Sequence, residues 1–189
     1  LFLDFVGPKN KRIAYATSFG NRNTAKFKPE FVAKHSQNLK KFDAISVREE
    51  YAVSIARDVF DVEATQVLDP VFLLPTSHYE TLADQATVKT AGDYMTVFFL
   101  DATVEKKAVA LAIARKLGFS KVLVVPNPDG GRDLCRAIFK DDIFEILAED
   151  APENFLQAYR GAGYILTDSF HGTAFATIFG KPFSSIYNT

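Results

Sequence analysis

An α/β architecture built on parallel sheets follows from three features of the sequence. Short apolar runs at residues 44–47, 94–100, 121–126 and 164–166 have the length and β-branched content of buried strands. Amphipathic stretches with apolar residues at helical spacing lie between them, so strand and helix alternate nearly throughout, the pattern of βαβ units. The apolar run 164–166 stops abruptly at Thr167-Asp168-Ser169-Phe170-His171-Gly172 and passes into the small-residue segment 173–179. That strand, polar turn and helix set side chains and helix N–H groups at the carboxyl edge of a sheet, where open α/β folds bind anionic ligands.

The elements follow in order. Residues 11–17 read as a strand ending at Ser18-Phe19-Gly20, where a glycine permits the turn. Residues 29–42 read as a helix with Phe31, Val32, His35, Leu39 and Phe42 on one face, 44–47 as a strand, and 48–60 as a helix with Tyr51, Ile55 and Val59 inward. Residues 65–70 form a short strand closed by Pro70, which cannot donate to a ladder. The stretch 76–92 is polar and without sustained period, and reads as a linker. A second alternating series begins with a strand at 94–100 and a helix at 104–117 closed by Gly118 in the usual C-terminal position. A strand at 121–126, a helix at 131–139 and a strand-like run at 142–147 come next. Asp150, with Glu153 after it, reads as the cap of a helix through Arg160, and the strand 182–187 follows the His171 segment. The simplest account is two Rossmann-like halves, residues 1–75 and 93–189, joined by 76–92.

Composition narrows the function. The 189 residues, 48% of them apolar, suffice for a real core. A net charge of −1 with no basic stripe argues against nucleic acid as a main partner. The single cysteine, Cys135, excludes an internal disulfide or a cysteine-based zinc cluster and reads as a core residue. No two His or carboxylate residues show metal-ligand spacing, and neither a Walker loop nor a G-x-G-x-x-G occurs. No apolar run approaches the roughly 18 residues that span a bilayer, and no signal peptide is visible, which gives a cytoplasmic expectation. The chain starts without Met and both ends cut into folded-looking sequence, so it reads as an excerpt of a longer protein.

Two turns carry chemistry. The strand 44–47 runs into Arg48-Glu49-Glu50, which aims Arg48 at the cleft above the sheet. Glu49 and Glu50 suit the positive end of the helix dipole, whereas a cation there is misplaced without an anion, which points to anion binding; the alternative is a simple pairing with Glu49, Glu50 or Asp69. Asp69, at a strand end before Pro70, either orients Arg48, accepts a substrate hydroxyl, or only forms the turn. The second constellation is Thr167 to Gly172 with Lys181. His171 beside helix N–H groups can cradle a phosphate or exchange a proton near neutral pH. In the competing reading Asp168 or Ser169 merely caps the helix. Lys181 begins the next strand and is expected to face solvent, as His35 is expected to be a satisfied half-buried residue.

Residues 11–20 (KRIAYATSFG), Ile45-Ser-Val-Arg-Glu49, Val67-Leu-Asp-Pro70, and Leu166-Thr-Asp-Ser-Phe-His-Gly-Thr-Ala-Phe175 with Lys181-Pro-Phe183, in that order, resemble the polysaccharide pyruvyl transferase family over nearly the whole chain. The Gly-rich opening and C-terminal helices of that family are absent, as expected of an excerpt. The resemblance implies a glycosyltransferase-B-like pair of Rossmann domains. It also implies transfer of a pyruvyl group from phosphoenolpyruvate to a sugar of a cell-surface polysaccharide or its precursor, usually as a cyclic ketal. No cofactor is implied. The partners would be phosphoenolpyruvate and an oligosaccharide acceptor, with a peripheral association with the membrane through that acceptor. Several members carry an Arg before the His; the matching position here is Ser169, leaving Arg48 as the remaining arginine for the donor.

On that basis His171 is a phosphate ligand or acid, and Asp168 or Glu49 takes the hydroxyl proton. Arg48 binds the donor's carboxylate or phosphate, and Ser169, Gly172 and Thr173 supply hydrogen bonds, with Asp69 and Lys181 completing the substrate-binding set. The alternatives are a nucleotide-sugar glycosyltransferase of similar fold, using Glu149 or Asp150 for the ribose or diphosphate, and a non-catalytic relative.

Overall fold

The computed structural model describes residues 3, 5–20, 22–90 and 93–187, which form two compact units, Leu1–Leu73 and Leu74–Thr189. Both are α/β with parallel strands.

In the first unit, β1 (Ile13–Thr17), β2 (Ala44–Val47) and β3 (Thr65–Gln66) form a sheet in that order. α1 (Pro29–Leu39) precedes β2 and α2 (Glu50–Phe60) follows it. Leu39, Ile55 and Phe60 make the buried centre, with Phe19, Phe27 and Val32 packed around it. β1 and β2 slip register between Ala14 and Thr17, where Ala16 takes a left-handed φ of 51°. Ser46 fills the break: its Oγ accepts from the Ala16 N–H at 2.9 Å and donates to the Ala14 carbonyl at 3.3 Å. His35 is half-buried, its ring 4.2 Å from that of Phe31.

The second unit contains α3 (Thr76–Ala83), β4 (Met95–Phe98), α4 (Val104–Leu117), β5 (Val122–Val125), α5 (Gly131–Ile138), β6 (Phe144–Ile146), α6 (Pro152–Arg160), β7 (Tyr164–Thr167), α7 (Phe170–Ile178) and β8 (Phe183–Ser185). Its all-parallel sheet has the order β6-β5-β4-β7-β8. Chain order reverses between β4 and β7, so their carboxyl ends are the topological switch point, the place where doubly wound sheets bind ligands. β4 and β5 are buried at every position, as a central strand covered on both faces requires. Cys135 lies in the core on one side of the sheet, with Phe99, Phe139 and Phe144. Gly118 ends α4 at φ 81°, a left-handed conformation that costs a glycine nothing.

Two expectations change. The stretch 76–92, read as a linker, contains α3, which buries Tyr79 and Ala83 against Leu156 of α6. Asp150 does not cap α6: Pro152 occupies the first turn and fixes Ala151 as N-cap, one residue later. Asp150 pairs instead with Arg132.

Candidate active site

The switch point of the second sheet is built from the loops after β4 and β7. Asp168 leaves β7 with its side chain fully buried. Its Oδ1 accepts from the backbone N–H of Leu100 at 2.7 Å, and its Oδ2 accepts from Lys106 Nζ at 2.7 Å. Lys106 also donates to the Asp101 carbonyl at 2.7 Å and is itself only 12% exposed. One carboxylate therefore fastens the loop after β7 to the loop after β4 and to the first turn of α4. The Leu100 carbonyl in turn accepts from Asn127 Nδ2 at 3.1 Å, which ties in the loop after β5. Three loops of the edge thus share one hydrogen-bonded chain.

Ser169 caps α7, its buried Oγ accepting from the Gly172 N–H at 3.3 Å. Thr167 Oγ1 accepts from the Ser169 N–H at 3.1 Å and donates to the Phe98 carbonyl at 2.7 Å. Gly172 is dictated by packing: a Cβ there would lie 2.2 Å from Thr167 Oγ1 and 2.9 Å from the Tyr159 hydroxyl. The Thr173 hydroxyl donates within the helix to the Ser169 carbonyl at 3.1 Å and lies 3.2 Å from Ser185 Oγ. His171 occupies the first turn of α7 and is exposed, its ring 5.3 Å from that of Phe170. The segment thus presents an imidazole at the positive end of a helix dipole, on a turn held from below by Asp168, Ser169 and Thr167. Burial pushes the Tyr159 hydroxyl above the ordinary phenol value, while the Thr167 hydroxyl acts in the opposite direction.

The first unit carries a separate cluster at its own carboxyl edge. Arg48 follows β2, where its N–H donates to the Thr17 carbonyl at 3.1 Å. Its guanidinium, 26% exposed, pairs with the buried carboxylate of Asp69 and lies 3.9 Å from Glu49. Asp69 uses its other oxygen to accept from the Val71 N–H at 3.1 Å, capping the 3-10 turn Pro70–Phe72. The turn-forming reading of Asp69 and its orientation of Arg48 therefore hold together. Glu49 Oε2 is buried and makes no hydrogen bond.

Within the second unit the structure brings together Asp168, Ser169, His171, Gly172 and Thr173, and adds Lys106, which sequence reasoning missed. Its partner is 62 residues away, so no local pattern announces it. Lys181 does not join them. It follows α7, two residues before Phe183 pairs with Ile165, and so sits at the amino edge of the sheet. Of the carboxylates proposed for a ribose, Asp150 is bound to Arg132 at 2.5 Å, and Glu149 accepts from Thr87 at 2.7 Å. Among the described residues no group of three or more His, Cys, Asp or Glu is placed to hold a metal, and no helix is long and apolar enough to cross a membrane.

The family model described as polysaccharide pyruvyl transferase matches residues 1–189, the whole chain. No individually curated protein matches the sequence.

Proposed function

The chain belongs to the polysaccharide pyruvyl transferase family, and from that premise we propose that it transfers the pyruvyl group of phosphoenolpyruvate to a sugar of a cell-surface polysaccharide or its precursor, forming a ketal. The observation that carries this reading is His171, exposed at the N-terminus of α7 on a turn that Asp168 fixes to Leu100 and Lys106. An anionic donor suits a helix N-terminus, and an imidazole there serves as phosphate ligand or proton donor.

In this scheme a proton adds to the donor's methylene carbon and leaves an oxocarbenium-like centre at the adjacent carbon. A sugar hydroxyl attacks that centre and loses its proton. The bond to phosphate breaks, and a second hydroxyl attacks to close the ketal, its proton leaving with the phosphate. His171 is the acid or phosphate ligand, and Arg48 binds a donor anion. Asp168 is a positioning residue, because both of its oxygens already accept hydrogen bonds. Glu49 is the other carboxylate assigned to take the hydroxyl proton. A cytoplasmic location, a glycosyltransferase-B-like character for the two units and contact with the membrane through the acceptor belong to the same reading.

Thermal unfolding with phosphoenolpyruvate, against UDP- and GDP-sugars, tests it. Ligand at 100 times its dissociation constant stabilises by about 2.7 kcal/mol. Stabilisation by phosphoenolpyruvate alone, lost in Arg48→Ala and His171→Ala, is expected. Stabilisation only by a nucleotide sugar overturns the donor.

A further inference from the structure

The carboxyl edge of the second sheet offers two unlike environments. One is the charged switch point just described. The other is a slot of about 390 Å3 beside it, lined by Phe98, Pro126, Pro128, Leu147, Phe155 and Asp150. Its volume falls within the roughly 300–1,000 Å3 of small-molecule sites, which are mostly apolar with a few orienting polar groups. Nothing in the switch-point chemistry uses it.

Resting on the pyruvyl-transfer reading, we propose that this slot is the acceptor subsite and seats one hexopyranose ring by its C–H face. Charge decides what does not bind. The walls are apolar and offer an anion no cation of their own, since Arg132 is spent on Asp150. A cation gains little, because Asp150 is already neutralised by Arg132, at 2.5 Å from Nη2 and 3.3 Å from Nε, and α6 turns its positive end to the slot. Arg132 also donates to the Leu147 carbonyl at 2.7 Å, so both walls it touches are held in place.

Asp150 is the polar group at the mouth and accepts hydrogen bonds, so a neutral ligand that answers it must donate them, as a sugar hydroxyl does. Prolines and the rings of Phe98 and Phe155, 5.4 Å apart at 80°, give a stiff apolar floor for the ring's C–H face. Position fits the reaction. Phe98 is in register with Val125 on one side and Thr167 on the other, so floor and switch point lie level on the same edge. Neighbouring strands are about 4.8 Å apart, so a hydroxyl of a ring over β4 and β5 is about one strand spacing from the end of β7.

Saturation-transfer NMR on the full chain tests this, with methyl glycosides of glucose, galactose, mannose, rhamnose and N-acetylglucosamine as probes. At least one should receive saturation, most strongly at its ring C–H protons. Pro128→Trp, which fills the slot from an exposed loop position, should abolish it. Asp150→Ala should weaken binding at least 5-fold, and both variants should keep the melting shift given by phosphoenolpyruvate. The slot is overturned if no glycoside receives saturation, or if saturation survives in both variants when each is folded. A glycoside signal that vanishes in Pro128→Trp, with no phosphoenolpyruvate shift in any form, would instead keep the sugar site and sink the donor.

Discussion

Lys106 and Asp168 form a 2.7 Å ion pair in which the carboxylate is fully buried and the ammonium nearly so. Removing one member leaves the other charged in a site with little water. Lys106→Met should therefore lower the unfolding free energy by about 3–5 kcal/mol in a urea titration. Adding Asp168→Leu should recover part of that loss, because an apolar pair no longer strands a charge. Additive losses in the double variant would show that the pair is not what holds these loops.

His171 lies on the exposed side of the same turn. It is exposed, so His171→Ala should change stability by no more than about 0.5 kcal/mol. Loss of an acid or phosphate ligand should reduce turnover about 100-fold or more, read as pyruvylated product by mass spectrometry. Full turnover in the folded variant would remove His171 from the reaction.

Gly172 tests whether packing outranks helix propensity. Replacing a helical glycine by alanine normally stabilises by roughly 0.5–1 kcal/mol. Here the new methyl would meet Thr167 Oγ1 at 2.2 Å and Thr167 Cβ at 2.9 Å, and neither is the end of a flexible chain. Overpacking of this kind costs about 1–3 kcal/mol, so Gly172→Ala should be net destabilising by chemical denaturation.

Alkali should weaken the second unit. Burial raises the Tyr159 hydroxyl, and the Tyr94 hydroxyl likewise, above the ordinary phenol value. Below pH of about 10 both native and unfolded chains keep these protons and they add no pH dependence. Above it the unfolded chain loses protons that the native one retains, so stability falls as pH rises. The slope approaches about 1.4 kcal/mol per pH unit for each buried phenol. Tyr159→Phe should flatten that slope in unfolding titrations between about pH 10 and 11, just above the unperturbed phenol value.

The strands and most helices were legible because local chemistry fixes them. Gly118 ends α4 where its left-handed conformation is needed, and the apolar run 164–166 ends at β7's polar turn. The helix α3 was not legible, since only Tyr79 and Ala83 are buried along it and they become so by meeting Leu156 of α6. The capping pattern at Asp150 misled because Arg132, from α5, takes the carboxylate, while Pro152 moves the helix start. At the candidate site, the turn Asp168–His171 was readable as a polar interruption. What was hidden is that Ser169, Gly172 and Thr173 are largely spent on holding the turn itself, and that Lys106 arrives there from α4. The Lys106 contact joins distant segments, and it exists only once the sheet has formed.

Leu100 makes its two ties to neighbouring loops with peptide atoms alone, its N–H to Asp168 and its carbonyl to Asn127, while its side chain stands 46% exposed. The amino acid at this position is therefore free to drift among relatives without loosening the edge, proline excepted, since it has no N–H to give. A residue that looks variable and unremarkable in any comparison of sequences can thus be a fixed point of the architecture.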